Sequence, residues 1–369
     1  MDRRDFLRLT SAAGALSASS LGLGSAARAA APDPDWRTFE LVTEIQVRDP
    51  GQNARVWVPV PFAQDTDYQR NAQTTWQAQG QGTAVLVQVP GYDVQTVVAQ
   101  WPDGTADAQR GVTVTSRFQT RDRRVDLSLP PSRHAPRESR ETLHRYLQAT
   151  ALLPTDSIVK TISDKITHGL RGNIAKARAI YEWVIDNTQR VASTPGCGVG
   201  DVRYMLTTHN MGGKCADISA VFVALSRSAG VPARDAYGIR VADSQLGYKS
   251  LGKSGDVTHA QHCRAEFYAE GYGWIPVDPA DVRKVMLEEP PGHLPMDNHQ
   301  VQAARVMLFG SWEMNWVAYN HGHDVSLPGS LLPAIPFLMY PNGETRGGRL
   351  DSLDADDFRY RITARQVFA

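Results

Sequence analysis

Between residues 36 and 129 the chain alternates apolar and polar positions in several short runs. Phe39, Leu41 and Ile45 belong to the first of these runs, and similar alternation returns at 56–60 and at 112–118. A period of two is typical of β-strands that bury one face. Gly and Pro separate the runs, and no helical pattern intervenes. The pattern therefore predicts an antiparallel, sandwich-like β-rich domain over residues 36–129.

Helical spacing replaces this alternation after the proline-rich segment 130–136, which we interpret as a linker. Thr155 and Asn173 are candidate N-caps of two helices, because apolar residues recur every three or four positions after each of them. A third helix is predicted to begin near Cys215 and to end before Gly230. Strands are predicted after it, at 236–241, 263–268 and 274–277. These elements predict an α+β core domain over residues 137–285.

The remaining segment, 286–369, mixes Gly and Pro with short apolar runs. Two of these runs, Val306 to Phe309 and Ala334 to Tyr340, are predicted to be strands. We therefore expect a C-terminal extension of strands and loops that packs on the core.

The first 29 residues read as a targeting segment. Asp2, Arg3, Arg4 and Asp5 precede a mildly apolar stretch, and the segment ends with Ala29 in an Ala-Arg-Ala sequence. This arrangement is typical of a twin-arginine signal peptide. The apolar stretch is too short for a membrane span, which needs roughly 20 apolar residues. We expect an exported, periplasmic or secreted protein with no integral membrane segment in the mature chain.

The composition and the charge of the chain limit the classes of molecule that it is expected to bind. The 369 residues are 42% hydrophobic and 21% charged, as in ordinary globular proteins. Lys plus Arg and Asp plus Glu are 39 each, so that no net field attracts nucleic acid or an anionic membrane. We therefore expect no nucleic-acid partner, and the charge says nothing about the oligomeric state.

The chain has three cysteines, Cys197, Cys215 and Cys263, and an odd number leaves at least one thiol free. A disulfide between Cys197 and Cys263 stays open as an alternative. Cys215 lies at the predicted start of a helix, where unpaired N–H groups and the helix dipole stabilise a thiolate. Gly212 and Gly213 before it let a substrate and an amide N–H approach the sulfur. Cys215 is therefore the candidate nucleophile.

A cysteine nucleophile needs a base and a group that orients the base. His262 and Asp278 lie on the two predicted strands that flank a turn at residues 269–273, and their midpoint falls inside that turn. Antiparallel pairing is therefore expected to bring them side by side. His259 is the alternative base, and Asp281 is the alternative acid.

Three motifs of this sequence resemble the core motifs of the transglutaminase-like superfamily. They are the sequences GKCAD at 213–217, HCRAEFY at 262–268 and GYGWIPVDP at 271–279. The resemblance implies a papain-like α+β core, with Cys215 as nucleophile, His262 as general base and acid, and Asp278 as the residue that orients the imidazole. The motifs lie in residues 155–285, and the resemblance of the flanking strands is looser.

Two positions depart from the family pattern. Arg264 stands where an aromatic residue is common, and Arg190 stands where tyrosine is common. We expect these differences to affect the substrate class more than the chemistry. The side chain that completes an oxyanion hole is not evident, and Gln189, His209 and Asn210 are the candidates.

The resemblance implies acyl transfer at an amide or peptide carbonyl through a thioester. We favour hydrolysis, by a peptidase or amidase, over cross-linking, with a protein or peptide amide as substrate. The alternative is a non-catalytic module that binds a peptide or a cell-wall component. We expect no cofactor and no metal, because the histidine pairs at 259 and 262 and at 321 and 323 have no third ligand at a suitable spacing.

Overall fold

The structure is a computed structural model, and it describes residues 35–48, 53–62, 64–105 and 110–368. The predicted signal peptide lies outside the described residues. Contacts between residues divide the chain into two units, and every described residue belongs to the second, which spans Pro34–Ala369. Among the described residues, no helix has the length and apolar character needed to cross a bilayer.

The first part of this unit consists of strands. They are β1 (Arg37–Gln46), β2 (Ala54–Pro59), β3 (Gln69–Ala78), β4 (Thr83–Val89), β5 (Val94–Trp101), β6 (Gly111–Thr120) and β7 (Arg123–Arg124). In β1, Phe39, Leu41, Thr43 and Ile45 are buried, while Glu40, Val42 and Glu44 between them are partly or fully exposed. The period of two in the sequence therefore gives a half-buried strand, as predicted.

The middle part combines helices with a small sheet. In chain order the elements are α1 (Arg140–Arg145), α2 (Ser157–Thr167), α3 (Asn173–Asn187), β8 (Gln189–Arg190), α4 (Val202–Thr208), β9 (Gly212–Gly213), α5 (Cys215–Ser228), β10 (Ala233–Arg240), β11 (Gly255–Asp256), β12 (Gln261–Ala269), β13 (Gly273–Val277) and α6 (Pro279–Glu288), with a short 3-10 helix at Lys249–Leu251. The predicted third helix and the three predicted strands are confirmed.

Two of the predicted helix caps are displaced by one residue. Asp156, rather than Thr155, is the N-cap of α2. Gly172 precedes α3, and Asn173 is its first helical residue. The side-chain amide of Asn173 instead donates a hydrogen bond to the carbonyl of Tyr268, at 2.9 Å. The side chain of Asn173, predicted to cap its own helix, therefore makes a tertiary hydrogen bond instead.

The C-terminal part contains α7 (His299–Met307), β14 (Ser311–Trp312), β15 (Trp316–Asn320), β16 (Asn342–Thr345), β17 (Gly348–Arg349) and β18 (Arg359–Val367). The prediction of a strand from Val306 to Phe309 is wrong, because the first two of these residues belong to α7. Val301, Ala304 and Leu308 are its buried positions, so the apolar period is helical. Residues 334–340 also form no strand, apart from an isolated bridge at Ile335.

Two five-stranded sheets enclose a common apolar core. Their strand orders are β11-β18-β1-β6-β3 and β17-β16-β2-β5-β4. Buried residues of β1, β2, β5 and β6 form one cluster between the sheets. The C-terminal strands complete both sheets, since β18 pairs with β1 and β16 pairs with β2. The boundaries drawn above between an N-terminal domain, a core and a C-terminal extension therefore stay a prediction, because the two ends of the chain share these sheets.

The third sheet, β13-β12-β10-β15, supports the central helix α5. All residues of α5 from Cys215 to Arg227 are buried, because strands β10 and β12 lie on one side and α2, α3, α4 and α6 on the others. Phe222 of this helix packs edge-on against Phe267 of β12, with ring centroids 6.4 Å apart. Burying such a side chain contributes about 1.5–3 kcal/mol. The predicted α+β fold with a papain-like core is confirmed.

Candidate active site

The sulfur of Cys215 lies at the first residue of α5 because Asp217 fixes the start of this helix. The carboxylate of Asp217 accepts a hydrogen bond from the backbone N–H of Lys214 at 2.9 Å, which is half of a capping box. It also accepts the N–H groups of Val199 and Gly200, at 3.0 and 2.9 Å. Asp217 thus connects the loop at 197–200 to the helix that carries the thiol.

Glycine is required beside this carboxylate. A Cβ at Gly213 would lie 2.4 Å from an oxygen of Asp217, and a Cβ at Gly198 would lie 1.7 Å from it. Gly198 also has a φ of +88°, in the left-handed region that favours glycine. The Gly-Lys-Cys-Ala-Asp motif therefore also has a structural role: its glycine and aspartate together fix the helix start at which Cys215 lies.

His262 and Asp278 meet at the floor of the same site. Nε2 of His262 lies 2.8 Å from Oδ2 of Asp278. The register differs from the prediction by two residues, since Ala265 pairs with Val277 and the residue across from Asp278 is Arg264. A shift of two residues keeps a side chain on the same face of the sheet. The predicted contact therefore forms along a diagonal.

Asp278 has a second structural task. It is the N-cap of α6, and its Oδ1 accepts the backbone N–H of Asp281 at 2.9 Å. One carboxylate oxygen thus holds the helix while the other holds the imidazole. Because both oxygens have fixed partners, the direction in which Asp278 presents Oδ2 to His262 is set by the backbone of α6.

Asp281, the alternative acid of the sequence analysis, also reaches the imidazole. Its Oδ1 lies 3.3 Å from Nε2 of His262. Arg240 donates two hydrogen bonds to this carboxylate, at 2.6 and 2.8 Å, and both side chains are buried. The sequence analysis did not select Arg240. Its position near the end of the apolar strand 236–241 could have indicated a buried ion pair, since buried arginines are almost always paired.

Arg264 belongs to the charge balance of this site. Its Nε lies 3.4 Å from Oδ2 of Asp278, and its guanidinium lies 4.8 Å from the ring centroid of Trp316. Burial lowers the pKa of Arg264 to about 10. Arg264 therefore contacts the acid that holds His262, while the expectation that this departure concerns the substrate more than the chemistry stays a prediction.

The charges around the thiol favour a thiolate and an imidazolium. Burial acts to lower the pKa of His262, but the carboxylates of Asp281 and Asp278 outweigh burial and raise this pKa to about 9. The thiols of Cys197 and Cys263 and the neighbouring His262 together lower the pKa of Cys215 well below that of an ordinary thiol. Both shifts favour the charged pair that a cysteine nucleophile requires.

A cleft of about 1040 Å³ opens above Cys215 and His262. Its wall is built from the segments 195–197, 252–262 and 353–361, which include β11 and the first residues of β12 and β18, and from Arg190 of β8 and Lys284 of α6. Seven of the residues that line it are lysines and arginines, namely Arg190, Lys214, Arg240, Lys253, Lys284, Arg359 and Arg361. Basic side chains therefore outnumber acidic ones on the surface of the cleft, where Asp256 is an acidic lining residue.

The sequence matches known proteins over the region that builds this site. Residues 160–279 match the Transglutaminase-like superfamily. An uncharacterized protein of Haemophilus influenzae is 36% identical over 345 residues, which cover 90% of this chain and 90% of that protein. Residues 160–279 of this chain therefore form a transglutaminase-like superfamily domain.

Solved structures resemble the fold at low sequence identity. A proposed cysteine protease from Cytophaga hutchinsonii aligns over 89% of this chain and 98% of its own length, with a TM-score of 0.48 and 14% identity. The periplasmic domain of TgpA from Pseudomonas aeruginosa aligns over 72% and 97%, with a TM-score of 0.33 and 14% identity. Red sea bream transglutaminase aligns over 65% and 48%, with a TM-score of 0.26 and 11% identity.

The three oxyanion-hole candidates lie away from the cleft of this transglutaminase-like core. Gln189, His209 and Asn210 are exposed, and none of them is among the residues that line the cleft. Arg190, the position where tyrosine is common in the family, does line it. The alternative base His259 is also on the cleft wall, but it is exposed and forms no ion pair with any carboxylate in the described part of the chain.

Two groups of three side chains have their possible metal-binding atoms within 4.8 Å of one another. One group is Cys197, Cys215 and Cys263, and the other is His262, Asp278 and Asp281. All three cysteines are free, so the alternative disulfide between Cys197 and Cys263 is absent from these described residues. The histidine pair at 321 and 323 is divided between different partners, Asp93 and Asp235. The expectation that the protein needs no metal stays a prediction.

Proposed function

We propose that this transglutaminase-like chain is an exported cysteine hydrolase that cleaves amide or peptide bonds through a thioester on Cys215. The observation that carries the proposal is the arrangement of three side chains. The thiol lies at the N-terminus of α5, His262 lies beside it, and Asp278 holds the ring from the opposite side at 2.8 Å. These are the parts that nucleophilic catalysis by cysteine needs.

In the first half of the reaction the thiolate of Cys215 attacks the carbonyl carbon. The C–S bond forms, the carbonyl π electrons move onto oxygen, and the backbone N–H of Cys215 at the start of α5 helps to stabilise the oxyanion. His262 then gives its proton to the leaving nitrogen as the C–N bond breaks. Because Nε2 of His262 is bound to Asp278, Nδ1 is the nitrogen that exchanges this proton.

In the second half, water attacks the thioester carbon. His262 accepts a proton from the water, the C–S bond breaks, and the thiolate is restored. A cleft of about 1040 Å³ leaves room for water beside a bound acyl group. The same volume would also admit an amine, so the preference for hydrolysis over acyl transfer to an amine is part of the proposal and is tested below.

The proposal is tested by comparing wild-type protein with Cys215→Ala on a library of fluorogenic peptide amides. We expect turnover by the wild type and a loss of about 10⁴-fold or more in the variant, as for removal of a catalytic nucleophile. Intact-mass spectra of rapidly quenched wild-type reactions should show an acyl adduct on Cys215. Retention of turnover by Cys215→Ala would contradict the proposal. Tight peptide binding without turnover would support the alternative of a binding module.

Export is the second part of the proposal, and it rests on the twin-arginine pattern in residues 1–29. Cell fractionation of a full-length, epitope-tagged chain is the direct test. We expect the processed protein in the periplasm or the medium, and Arg3→Lys together with Arg4→Lys should retain the precursor in the cytoplasm.

A further inference from the structure

The cleft above Cys215 has an excess of positive side chains. Four of its seven cations are paired with carboxylates: Arg240 with Asp281, Arg361 with Asp256, and Arg190 and Lys284 with Glu288. The other three are Lys214, Lys253 and Arg359, and they form no ion pair with any carboxylate among the described residues.

This excess is local, because the complete chain has as many acidic as basic residues. One acidic residue, Asp256, lines the cleft, and it is the partner of Arg361. Further aspartates belong to the nearby loop at 351–357, but from this loop only Leu353 and Ala355 line the cleft. The carboxylates of Asp351, Asp354 and Asp357 accept hydrogen bonds from backbone N–H groups of the same loop. These aspartates are therefore already engaged and do not occupy the cleft.

We propose that the cleft selects acyl donors that carry carboxylates close to the reacting amide, that is, acidic peptides. The proposal deepens the proposed function and rests on it. Lys214 adjoins Cys215, Lys253 lies on a loop of the cleft wall, and Arg359 is the first residue of β18; Lys253 and Arg359 are exposed. A substrate with an acidic residue near the scissile bond would satisfy the unpaired cations, and a basic substrate would be repelled.

The test uses two alkylating agents that differ in charge but share the same leaving group. Iodoacetate is an anion, iodoacetamide is neutral, and both modify the thiolate of Cys215, which mass spectrometry distinguishes from the other cysteines. The ratio of the two rate constants reports the potential at the sulfur. Dividing by the iodoacetamide rate corrects each variant for changes in the accessibility and the nucleophilicity of the Cys215 sulfur. The charge of His262 contributes equally to the potential at the sulfur in every variant.

We expect Lys253→Gln combined with Arg359→Gln to lower this ratio about fourfold at low salt, because each charge at ~10 Å in water changes a rate about twofold. Lys253→Glu combined with Arg359→Glu changes twice as much charge and should lower it about sixteenfold. High salt should remove most of the difference. The matched control is Lys160→Gln with Lys165→Gln, since both lysines are exposed on α2 away from the cleft.

A ratio that does not respond to the cleft variants, or that responds equally to the control, overturns the inference. The measurement needs no turnover. An inactive protein with a responsive ratio would therefore contradict the proposed hydrolysis while it supports the basic cleft as an anion-selective site. A responsive ratio together with faster turnover of acidic than of neutral peptide amides would support both.

A different observation carries a second inference: all three cysteines of the chain converge on one point. Their sulfur atoms lie within 4.8 Å of one another, although they come from a loop, from α5 and from β12. Cys197 and Cys215 both line the cleft, whereas Cys263 does not. The thiol of Cys263 instead contacts the sulfur of Met339 at 3.7 Å.

We infer that Cys197 is a resolving thiol that protects the nucleophile from irreversible oxidation by peroxides. The thiolate of Cys215 attacks a peroxide oxygen, the O–O bond breaks, and a sulfenic acid forms as hydroxide leaves. The sulfur of Cys197 then attacks the sulfenic sulfur, an S–S bond forms, and water leaves with the proton of the Cys197 thiol. The peroxide supplies the two-electron oxidation, and a thiol reductant reverses it.

The backbone around Cys197 fits this role. Gly196 and Gly198 flank it, and its carbonyl accepts the N–H of Ala216 at 2.9 Å, so that the loop is held against the start of α5. The two sulfurs can therefore approach bonding distance through side-chain rotation and small movements of a glycine-flanked loop.

The experiment treats the protein with hydrogen peroxide and then with dithiothreitol, and measures the reactivity of Cys215 toward iodoacetamide. We expect nearly full recovery in the wild type and in Cys263→Ala, and a disulfide-linked peptide pair containing Cys197 and Cys215. Cys197→Ala should recover less than about one fifth, with sulfinic acid at Cys215. Recovery of Cys197→Ala equal to the wild type, or a disulfide that contains Cys263, overturns the inference.

Discussion

Two buried histidines of this protein have almost the same surroundings and differ in one respect. His262 and His321 are 4% and 2% exposed, and each lies next to two carboxylates. For His262 both acids, Asp278 and Asp281, approach the same ring nitrogen, Nε2. For His321 the acids approach different nitrogens, Asp93 at Nδ1 and Glu266 at Nε2.

This difference decides what each ring can do. Placing both acids on Nε2 leaves Nδ1 of His262 for the thiol of Cys215. His321 has an acid at each nitrogen, and Phe62 stacks on its ring at 4.9 Å. Burial and nearby carboxylates therefore do not by themselves make a catalytic base. The free nitrogen, and a cleft in front of it, are also required.

The pKa shifts agree with this comparison. Burial opposes protonation of both rings, yet the neighbouring carboxylates raise the pKa of His321 and raise that of His262 to about 9. The Glu266 carboxylate beside His321 is also contacted by Arg123 and by Arg234. Burial acts to raise the pKa of Glu266, but these two cations hold it well below its usual value. The carboxylate of Glu266 beside His321 is therefore held in ion pairs with two arginines.

The strongest test of the difference between His262 and His321 is to replace each of them by glutamine. His262→Gln should lower kcat/KM for the best peptide amide by about 10³-fold, since general acid–base catalysis contributes 10²–10⁴-fold. It should also slow alkylation of Cys215 at pH 6, because the thiolate loses its neighbouring imidazolium. His321→Gln should change both rates by less than about threefold per folded molecule. Equal losses in the two variants would contradict the comparison.

Glu266→Gln should have its main effect on stability. Removing one charge from a buried ion cluster typically costs about 3–5 kcal/mol, and urea unfolding of the variant should show a loss of this size. Glu288→Gln is the control, because its pair with Arg190 is partly exposed and such pairs contribute below about 1 kcal/mol. The alkylation rate of Cys215 in folded Glu266→Gln should match the wild type. A stable variant with an unreactive thiol would reverse the roles assigned to the two clusters.

Asp281→Asn should lower the pKa of His262, because it removes one of the two carboxylates that raise this pKa. The alkaline limb of the profile of kcat/KM against pH is therefore expected to move to lower pH by about one unit. Asp93→Asn removes a carboxylate from the other histidine and should leave this limb in place. A limb that moves in Asp93→Asn and stays in Asp281→Asn would show that the wrong ring was assigned.

The smallest effect is the pH dependence of the wild type. Turnover should decline to half near pH 9, because His262 must be protonated to donate to the leaving nitrogen. Its folded-state pKa lies above the unfolded value of about 6.5, so its contribution to stability is complete below that pH and is lost as the pH rises through about 9. The free energy of unfolding, measured from pH 6 to 10, should contain this decline. His262→Gln should make the decline smaller.

The sequence was sufficient to place Cys215 at a helix start and to predict the elements around it. The apolar residues after Cys215 keep helical spacing, and α5 begins at Cys215. The turn at 269–273 is also confirmed by the pairing of Ala269 with Gly273. These features depend on local periodicity and on turn-forming residues, and both can be read from residues that are adjacent in the sequence.

The sequence was less informative where contacts are distant along the chain. Arg240 is 41 positions from Asp281, and no local pattern connects them. The apolar run at 306–309 was misread because it contains the end of a helix whose period becomes visible only from Val301 onward. No sequence pattern singled out the side chain that completes an oxyanion hole, and the candidates Gln189, His209 and Asn210 do not line the cleft.

The sequence by itself determined the family, the fold class and the three side chains of the proposed triad, because short motifs record which residue types stand at each turn and helix start. Only the tertiary structure decided that His262 has two acids on one nitrogen and His321 has one on each. It alone also brought the three cysteines to one point and gathered the unpaired cations around the cleft. The physical reason is that burial and electrostatic pairing depend on distances through space, which segments far apart in the chain fix only when they pack together.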